Sequence, residues 1–240
     1  MAELWDLYDA ELNRTGETMY RGDKVPAGRM HLVTDALFLN SQGETFLQRR
    51  AKDKDVLPDF WSVTGGSALA GETGREACSR EVREEIGFEP DWSRGRLLCR
   101  QIHIEKGWFR EVYLFTQDVP LTAMRFQKEE VQDGQWILPE NIRADAEMER
   151  QLSVLSFWKE EFPYLMLESM RLRIPEGTYR HYKGNRYQVK GLALHSETLE
   201  PMVIYQALYG HGETWARPAS MWNETVAVNG KSVLRFRMEK

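Results

Sequence analysis

Five glutamates lie close together in one short stretch of the chain, beside two glycines and among three arginines. The stretch runs from Gly65 to Phe88 and reads GGSALAGETGREACSREVREEIGF. Its carboxylates are Glu72, Glu76, Glu81, Glu84 and Glu85. Carboxylate oxygens bind hard divalent cations such as Mg²⁺, which completes its shell with water and substrate phosphates. The same residue types also form ordinary solvated helix faces, so their spacing has to decide between the two interpretations.

The pattern predicts a helix that begins after Thr73 and ends at Gly87. At about 100° per residue, three carboxylates share one side of this helix. They are Glu81, Glu84 and Glu85. The adjacent stripe is apolar and consists of Cys78, Val82 and Ile86. We therefore expect the helix to bury one flank against a sheet, while bound Mg²⁺ or Mn²⁺ offsets the repulsion along its anionic edge.

The complete spacing resembles the Nudix box, G-x5-E-x7-R-E-U-x-E-E-x-G-U, in which U is apolar. All nine defined positions are filled, in order by Gly66, Glu72, Arg80, Glu81, Val82, Glu84, Glu85, Gly87 and Phe88. So many fixed positions in one window make this a specific match. The resemblance implies an α+β Nudix fold, a mixed sheet between helices, over about residues 1–170. It also implies Mg²⁺-dependent hydrolysis of a diphosphate linkage, for example in a nucleoside diphosphate joined to another moiety.

The resemblance implies metal ligands within this stretch. Glu81 and Glu85 would be the principal ligands of Mg²⁺ or Mn²⁺. Glu84 would be a further ligand, directly or through water, and the backbone carbonyl of Gly65 would join them.

The resemblance also implies catalytic roles around the metal. Arg80 would pair with Glu72 and hold the loop against the helix, which orients the ligands. The general base that activates water would be Glu81 itself or a glutamate from a later loop. Glu130, beside Glu129, is the candidate in that loop, although a solvated loop would have the same composition.

Strands before and after the helix must position these residues. Alternating apolar residues predict a hairpin over 28–50, a short strand over 59–66 that ends in the glycines, and an antiparallel pair over 94–119. A further strand and a helix start are predicted within 129–142, followed by one or two helices over 147–173.

The flanks of the box resemble the Nudix branch that includes isopentenyl diphosphate isomerase. In that branch an arginine and a lysine before the box contact the diphosphate, and Arg50 and Lys54 match them. True isomerases also need a cysteine after the tryptophan that Trp61 matches, and several histidines. Here Ser67 replaces one of those histidines, and only His31 has a match. The residues therefore favour hydrolysis over isomerisation. The first alternative is a non-catalytic Nudix regulator that senses a ligand. The second and weaker alternative is an isopentenyl diphosphate isomerase.

The end of the chain has a different character. The residues IPEG at 174–177 interrupt the helical pattern, and short strands, turns and aromatic residues follow. About 177–238 resembles a small bacterial domain of unknown function that is thought to be SH3-like. We predict a Nudix domain at 1–172 and a small all-β, SH3-like barrel at 176–240. Most of its rings should form a core, and an aromatic groove for a peptide, a nucleotide or single-stranded nucleic acid is the alternative.

Composition limits the class of protein. The 240 residues are 42% hydrophobic, enough to bury a core, and the formal net charge of −5 argues against a general nucleic-acid binder. Cys78 and Cys99 are the only cysteines, which indicates a reducing compartment. The acidic start lacks a signal-peptide pattern, and no apolar run is long enough to span a bilayer. We expect a cytoplasmic enzyme with a small-molecule diphosphate substrate and no membrane partner, and a homodimer is left open.

Overall fold

The computed structural model describes residues 2–239, which form two compact units. One unit extends up to Trp158 and the other begins at Lys159. The predicted domain limits, 1–172 and 176–240, stay a prediction, because spatial units and sequence domains need not end at the same residue. None of the helices within residues 2–239 has both the length and the apolar character that crossing a bilayer requires.

The first unit combines strands and helices in an α+β order. Its strands are β1 (Leu4–Tyr8), β2 (Arg14–Tyr20), β3 (His31–Leu39), β4 (Thr45–Arg50), β5 (Trp61–Ser62), β6 (Thr64–Ser67), β7 (Gly95–His103), β8 (Trp108–Thr116) and β9 (Val131–Ile137). Its helices are α1 (Gly74–Ile86), α2 (Pro139–Ala144) and α3 (Ala146–Leu152). A further helix, α4 (Trp158–Arg173), begins at the last residue of this unit. The two helices α3 and α4 confirm the helical prediction over 147–173.

A mixed sheet is the centre of the first unit, as predicted. Its order is β5-β4-β3-β8-β7, with β6 also paired to β3 and β9 also paired to β4. Strands β3 and β8 are parallel, whereas β7 and β8 form the predicted antiparallel pair. The predicted hairpin of β3 and β4 pairs only beside its turn, at Leu39 and Thr45. The two strands then diverge, so that β3 pairs with β6 and β4 pairs with β9.

Helix α1 begins and ends where the sequence predicts. Thr73 is the N-cap: its hydroxyl accepts the Glu76 N–H at 3.3 Å, and its own N–H donates to the Glu76 carboxylate at 2.8 Å. This reciprocal capping box satisfies two donors that the first turn of a helix leaves unpaired. Gly87 ends the helix with a φ of 81°, in the left-handed region that favours glycine.

The apolar stripe of α1 is buried against the sheet, which confirms the prediction. Cys78, Val82 and Ile86 are each at most 1% exposed. They belong to one cluster with aromatic residues of β3, β4 and β8, namely Phe38, Phe46, Tyr113 and Phe115. Packing therefore determines which flank of the helix is buried, and the carboxylate edge is left beside the sheet.

The N-terminal hairpin of β1 and β2 was not predicted. The two strands are antiparallel, and β2 is exposed at five of its seven residues. A strand with so little buried surface lacks the alternation of apolar and polar residues by which strands are detected in a sequence.

The second unit is predominantly β structure, as predicted, but the predicted SH3-like barrel is not confirmed, because no closed barrel forms within the described residues. Its strands are β10 (Gly177–His181), β11 (Arg186–Leu194), β12 (Pro201–Ala207), β13 (Thr214–Pro218), β14 (Thr225–Val228), β15 (Lys231–Leu234) and β16 (Phe236–Met238). Five strands form a sheet in the order β13-β12-β11-β10-β16, and β14 pairs with β15 separately. A barrel closes only when its edge strands exchange hydrogen bonds, and β13 and β16 do not pair within the described residues. Aromatic side chains pack inside this unit; for example, the rings of Trp222 and Phe236 stack with their centroids 3.8 Å apart.

We predict that Val82→Ala will destabilise the first unit by about 2 kcal/mol, because it removes buried methyl groups and leaves a cavity. Denaturant unfolding of the full chain measures this change. Arg83→Ala is the matched control on the same helix: its side chain is 57% exposed, and the change should stay within about 0.5 kcal/mol. Equal effects of the two variants would contradict the observed packing of α1.

Candidate active site

Two glycines of β6 allow the helix and the sheet to approach each other. Gly65 and Gly66 pair with Asp35 and Thr34 of β3. A Cβ atom on Gly65 would lie 2.2 Å from the Thr34 carbonyl oxygen, and one on Gly66 would lie 2.4 Å from a carboxylate oxygen of Glu81. Real Cβ contacts are not that short, so Gly65 has no room for a side chain beside the β3 backbone, and a side chain at Gly66 would have to displace the Glu81 carboxylate. Gly66 thereby leaves the space that the Glu81 carboxylate occupies.

The Arg80 guanidinium joins the glycine-rich loop to the helix. Toward the loop, it donates to the Glu72 carboxylate at 2.9 Å and to the Ser67 carbonyl at 2.9 Å. Toward the helix, its Nη1 donates to Glu81 at 2.7 Å and to Glu84 at 3.1 Å. The pair with Glu72 is the one that the sequence predicts. Only 17% of the Arg80 side chain is exposed, so these bonds are weakly screened by solvent.

Glu85 is a buried carboxylate whose environment disfavours its charge. It is 5% exposed, and its Oε2 accepts hydrogen bonds from the Gln48 amide at 2.9 Å and from the Gly65 N–H at 3.2 Å. Burial, and then the charge of Glu81, raises the pKa of Glu85 to about 8, although both hydrogen bonds act in the opposite direction. Burial also raises the pKa of Glu81, against the effect of Arg80. Arg80 alone therefore does not offset the charges of Glu81 and Glu85, and a bound cation would supply further positive charge.

One cavity of about 300 Å³ collects residues from distant parts of the sequence. Those from the glycine-rich loop and α1 are Gly65, Gly66, Ser67, Arg80, Glu81, Glu84 and Glu85. Arg50 at the end of β4, Lys54 after it, and Glu130, which precedes β9, line the same cavity. Lys54 and Glu130 form an ion pair at 2.5 Å. Glu72 contacts this group only through Arg80, and Glu129 does not line the cavity.

Some residues of the site were not predicted from the sequence. Gln48 is 1% exposed; its amide donates to Glu85, and its carbonyl oxygen accepts the Thr64 hydroxyl at 2.9 Å. In the sequence, the indication of this role was a polar residue within the otherwise apolar start of β4. Trp5 and Arg21 also line the cavity, from the N-terminal hairpin and the residue after it. Nothing in their local sequence indicates this position.

His31 is a buried residue and does not line the cavity. It is 9% exposed, and its ring stacks on Trp5 at a centroid distance of 4.3 Å. Burial lowers the pKa of His31 to about 4, so the ring is neutral near pH 7. His31 therefore has a structural role, in which its ring packs against Trp5.

The chemistry of the candidate donors fits Mg²⁺ or Mn²⁺. The carboxylates of Glu81, Glu84 and Glu85 and the Gly65 carbonyl offer only oxygen atoms, which hard cations prefer. No three acidic, histidine or cysteine side chains converge into a complete metal site within residues 2–239. Arg80 bonds oxygens of both Glu81 and Glu84, whereas the hydrogen-bond partners of Glu85 are Gln48 and Gly65. The buried Glu85 carboxyl, which is bonded by Gln48 and Gly65 rather than by a cationic side chain, is the observation that most directly favours a cation.

Family models match both parts of the chain. A model described as "NUDIX domain" matches residues 29–157, and one described as "Protein of unknown function (DUF1653)" matches residues 177–238. The first match covers more than half of the chain and contains the whole cluster of α1, β4 and β6.

Individual relatives agree with the first of these matches. An uncharacterised Nudix hydrolase of Listeria monocytogenes is 39% identical over 59% of this chain and 83% of its own length. The nucleoside triphosphatase NudI of Escherichia coli is 28% identical over 43% of this chain and 79% of its own length. The crystal structure of DR0079 from Deinococcus radiodurans superposes with a TM-score of 0.53 at 28% identity and covers 66% of this chain and 98% of that one.

We predict that His31 makes the protein less stable toward acid. The unfolded histidine takes up a proton near its ordinary pKa of 6.5, whereas the folded one stays neutral down to about 4. The unfolded state therefore binds more protons between these values, and stability falls as pH decreases through that window. His31→Phe keeps a ring beside Trp5 and cannot titrate. Relative to this variant, the wild type should lose up to about 1.4 kcal/mol of unfolding free energy per pH unit, measured by urea denaturation. Parallel pH profiles would contradict the prediction.

Proposed function

This chain belongs to the Nudix family, and from that premise we propose that it hydrolyses a diphosphate linkage in a small molecule with the aid of Mg²⁺ or Mn²⁺. One observation carries the proposal: a single cavity holds the carboxylates of α1 together with Arg50, Lys54 and Glu130. Anionic groups for a cation and cationic groups for a phosphate thus face the same space.

Four residues would hold the cation. Glu81 and Glu85 would be the main ligands, and Glu84 and the Gly65 carbonyl would be the other ligands that the protein provides. A bound cation would supply positive charge that stabilises the charge developing on the diphosphate. Arg80, braced by Glu72, positions Glu81 and Glu84, and Gln48 orients Glu85.

Arg50 and Lys54 would bind the diphosphate. A guanidinium matches two phosphate oxygens with parallel hydrogen bonds, and a lysine contributes a compact charge beside it. Among the described residues that line the cavity, Trp5 is the one apolar side chain. A cavity so polar offers no surface for an isoprenoid chain, which supports a nucleotide or another polar diphosphate over an isopentenyl compound. The name of the Escherichia coli relative makes nucleoside triphosphates the first compounds to test.

The reaction needs a base close to the phosphorus. A water molecule attacks one phosphorus, the bond from that phosphorus to the bridging oxygen breaks, and the base accepts the proton that the water loses. Glu130 faces the cavity and pairs with Lys54, so the base and the phosphate-binding cation would lie side by side. Glu81 is the second candidate, and its bond to Arg80 leaves one carboxylate oxygen for this role.

We predict that Glu85→Gln will lower kcat by about 100-fold or more, because it removes a ligand and its charge. The assay measures phosphate or pyrophosphate release from a panel of nucleoside and isoprenoid diphosphates with Mg²⁺. Glu76→Gln is the matched control on the same helix: a glutamine preserves the capping box, and Glu76 does not line the cavity. Equal activity of Glu85→Gln and the wild type would refute the assigned site. Tight ligand binding without turnover at saturating metal would favour a ligand-sensing regulator.

We predict that Glu130→Gln will lower kcat by about 10²- to 10⁴-fold, the usual contribution of a general base. Glu129→Gln is its control, since this neighbour has the same chemistry but lies outside the cavity lining. Steady-state kinetics of both variants, with circular dichroism to verify folding, separates the two positions. Unchanged turnover in Glu130→Gln would exclude it as the base and transfer that role to Glu81.

A further inference from the structure

Three arginines lie side by side across the sheet of the second unit. Arg180 of β10 is directly opposite Arg186 of β11 on one side and Arg237 of β16 on the other. Directly opposed residues of antiparallel strands have side chains about 5 Å apart on one face, and like charges there are destabilising. The three arginines therefore repel one another, and an uncharged residue at any of these positions would reduce the repulsion.

A single carboxylate offsets part of this charge. Glu239 bonds Arg180 at 2.7 Å and Arg186 at 2.7 Å. Among the described residues, the guanidinium of Arg237 forms no hydrogen bond or ion pair. The row thus has three positive charges and one negative charge, and its unpaired end is at Arg237.

A cavity of about 450 Å³ lies at that end of the row. Arg180, His181 and Arg237 line it, and none of its lining residues within 2–239 is acidic. The remaining wall includes Tyr182 and the aliphatic residues Val233 and Leu234 of the β14–β15 hairpin. This volume is within the range of about 300–1,000 Å³ that is usual for small-molecule sites.

His181 lies in the cavity wall with further basic residues nearby. Burial is the largest cause that lowers the pKa of His181, and the charges of Arg235, Lys183 and Arg217 follow. A neutral His181 can still donate one hydrogen bond to an anion. Glu239 offsets part of the charge of Arg180, and Arg237 leaves the described lining of the cavity with an excess of positive charge that favours anions.

We propose that this cavity binds a phosphate-bearing small molecule, with the phosphate against Arg180 and Arg237 and a planar or apolar body against Tyr182 and the β14–β15 hairpin. Guanidinium groups match phosphate oxygens in geometry as well as charge, and a phosphate monoester carries the second negative charge that the row lacks. The proposal is independent of the hydrolysis proposed above, because all of these residues belong to the second unit.

Hydrogen exchange of the full chain in EDTA tests the proposal, with adenosine 5′-monophosphate (AMP) as the probe. AMP should protect peptides that contain β10 and the segment 225–238. Inorganic phosphate should protect them less, and adenosine should not protect them at all. The readout is local, so AMP bound in the first unit would not be mistaken for this site. Absence of protection at millimolar AMP would overturn the proposal.

Matched variants identify the groups that bind. Arg237→Gln should weaken AMP binding by about tenfold or more, since it removes a charged hydrogen bond. It should also keep or raise the melting temperature, because it relieves the repulsion in the row. Lys190→Gln removes one charge from an exposed position on the same sheet and should leave the affinity within about twofold. Equal affinities of Arg237→Gln and Lys190→Gln would refute the site. Tighter, Arg237-dependent binding of a single-stranded oligonucleotide would refute the small-molecule occupant.

Discussion

The candidate active site depends on the charge balance around the Arg80 guanidinium. This one group bonds two carboxylates of α1 and both the Glu72 carboxylate and the Ser67 carbonyl of the preceding loop. Its position is largely buried, where leaving one member of an ion pair without its partner costs about 3–5 kcal/mol. The loop and the helix are therefore held in one relative position. Glu85 lies outside this network and remains the carboxylate with no arginine beside it.

The fold supplies the space for that network through backbone contacts. Strand β3 separates from β4 after a single pair and takes β6 as its neighbour, which brings Gly65 and Gly66 beneath α1. The absence of a side chain at Gly66 allows the Glu81 carboxylate to lie against the strand. The same divergence pairs β4 with β9, and the segments that follow and precede these strands carry Lys54 and Glu130 to the cavity. The apolar stripe of α1 packs against the sheet and thereby keeps the acidic edge of the helix at the cavity.

Features that depend on neighbouring residues could be predicted from the sequence, and features that depend on distant contacts could not. The capping box at Thr73, the end at Gly87 and the buried stripe follow from spacing along one helix. The bond between Gln48 and Glu85 joins strands and helix far apart in the chain, and its local signal was a single polar residue. Trp5 reaches the cavity on a hairpin whose second strand, β2, is too exposed to show periodicity. Turn spacing predicted the strands of the second unit, but it does not determine whether the edge strands pair, and within the described residues they do not close a barrel.

The proposed hydrolysis depends on a divalent-cation site at the carboxylates of Glu81 and Glu85. Anomalous X-ray scattering from crystals of the full chain soaked in Mn²⁺ tests it most directly, because the signal locates the ion without assuming any ligand. We expect a peak in contact with the carboxylates of Glu81 and Glu85, with Arg80 still bonded to Glu72. Absence of a peak at saturating Mn²⁺, or a peak that touches neither carboxylate, would contradict it.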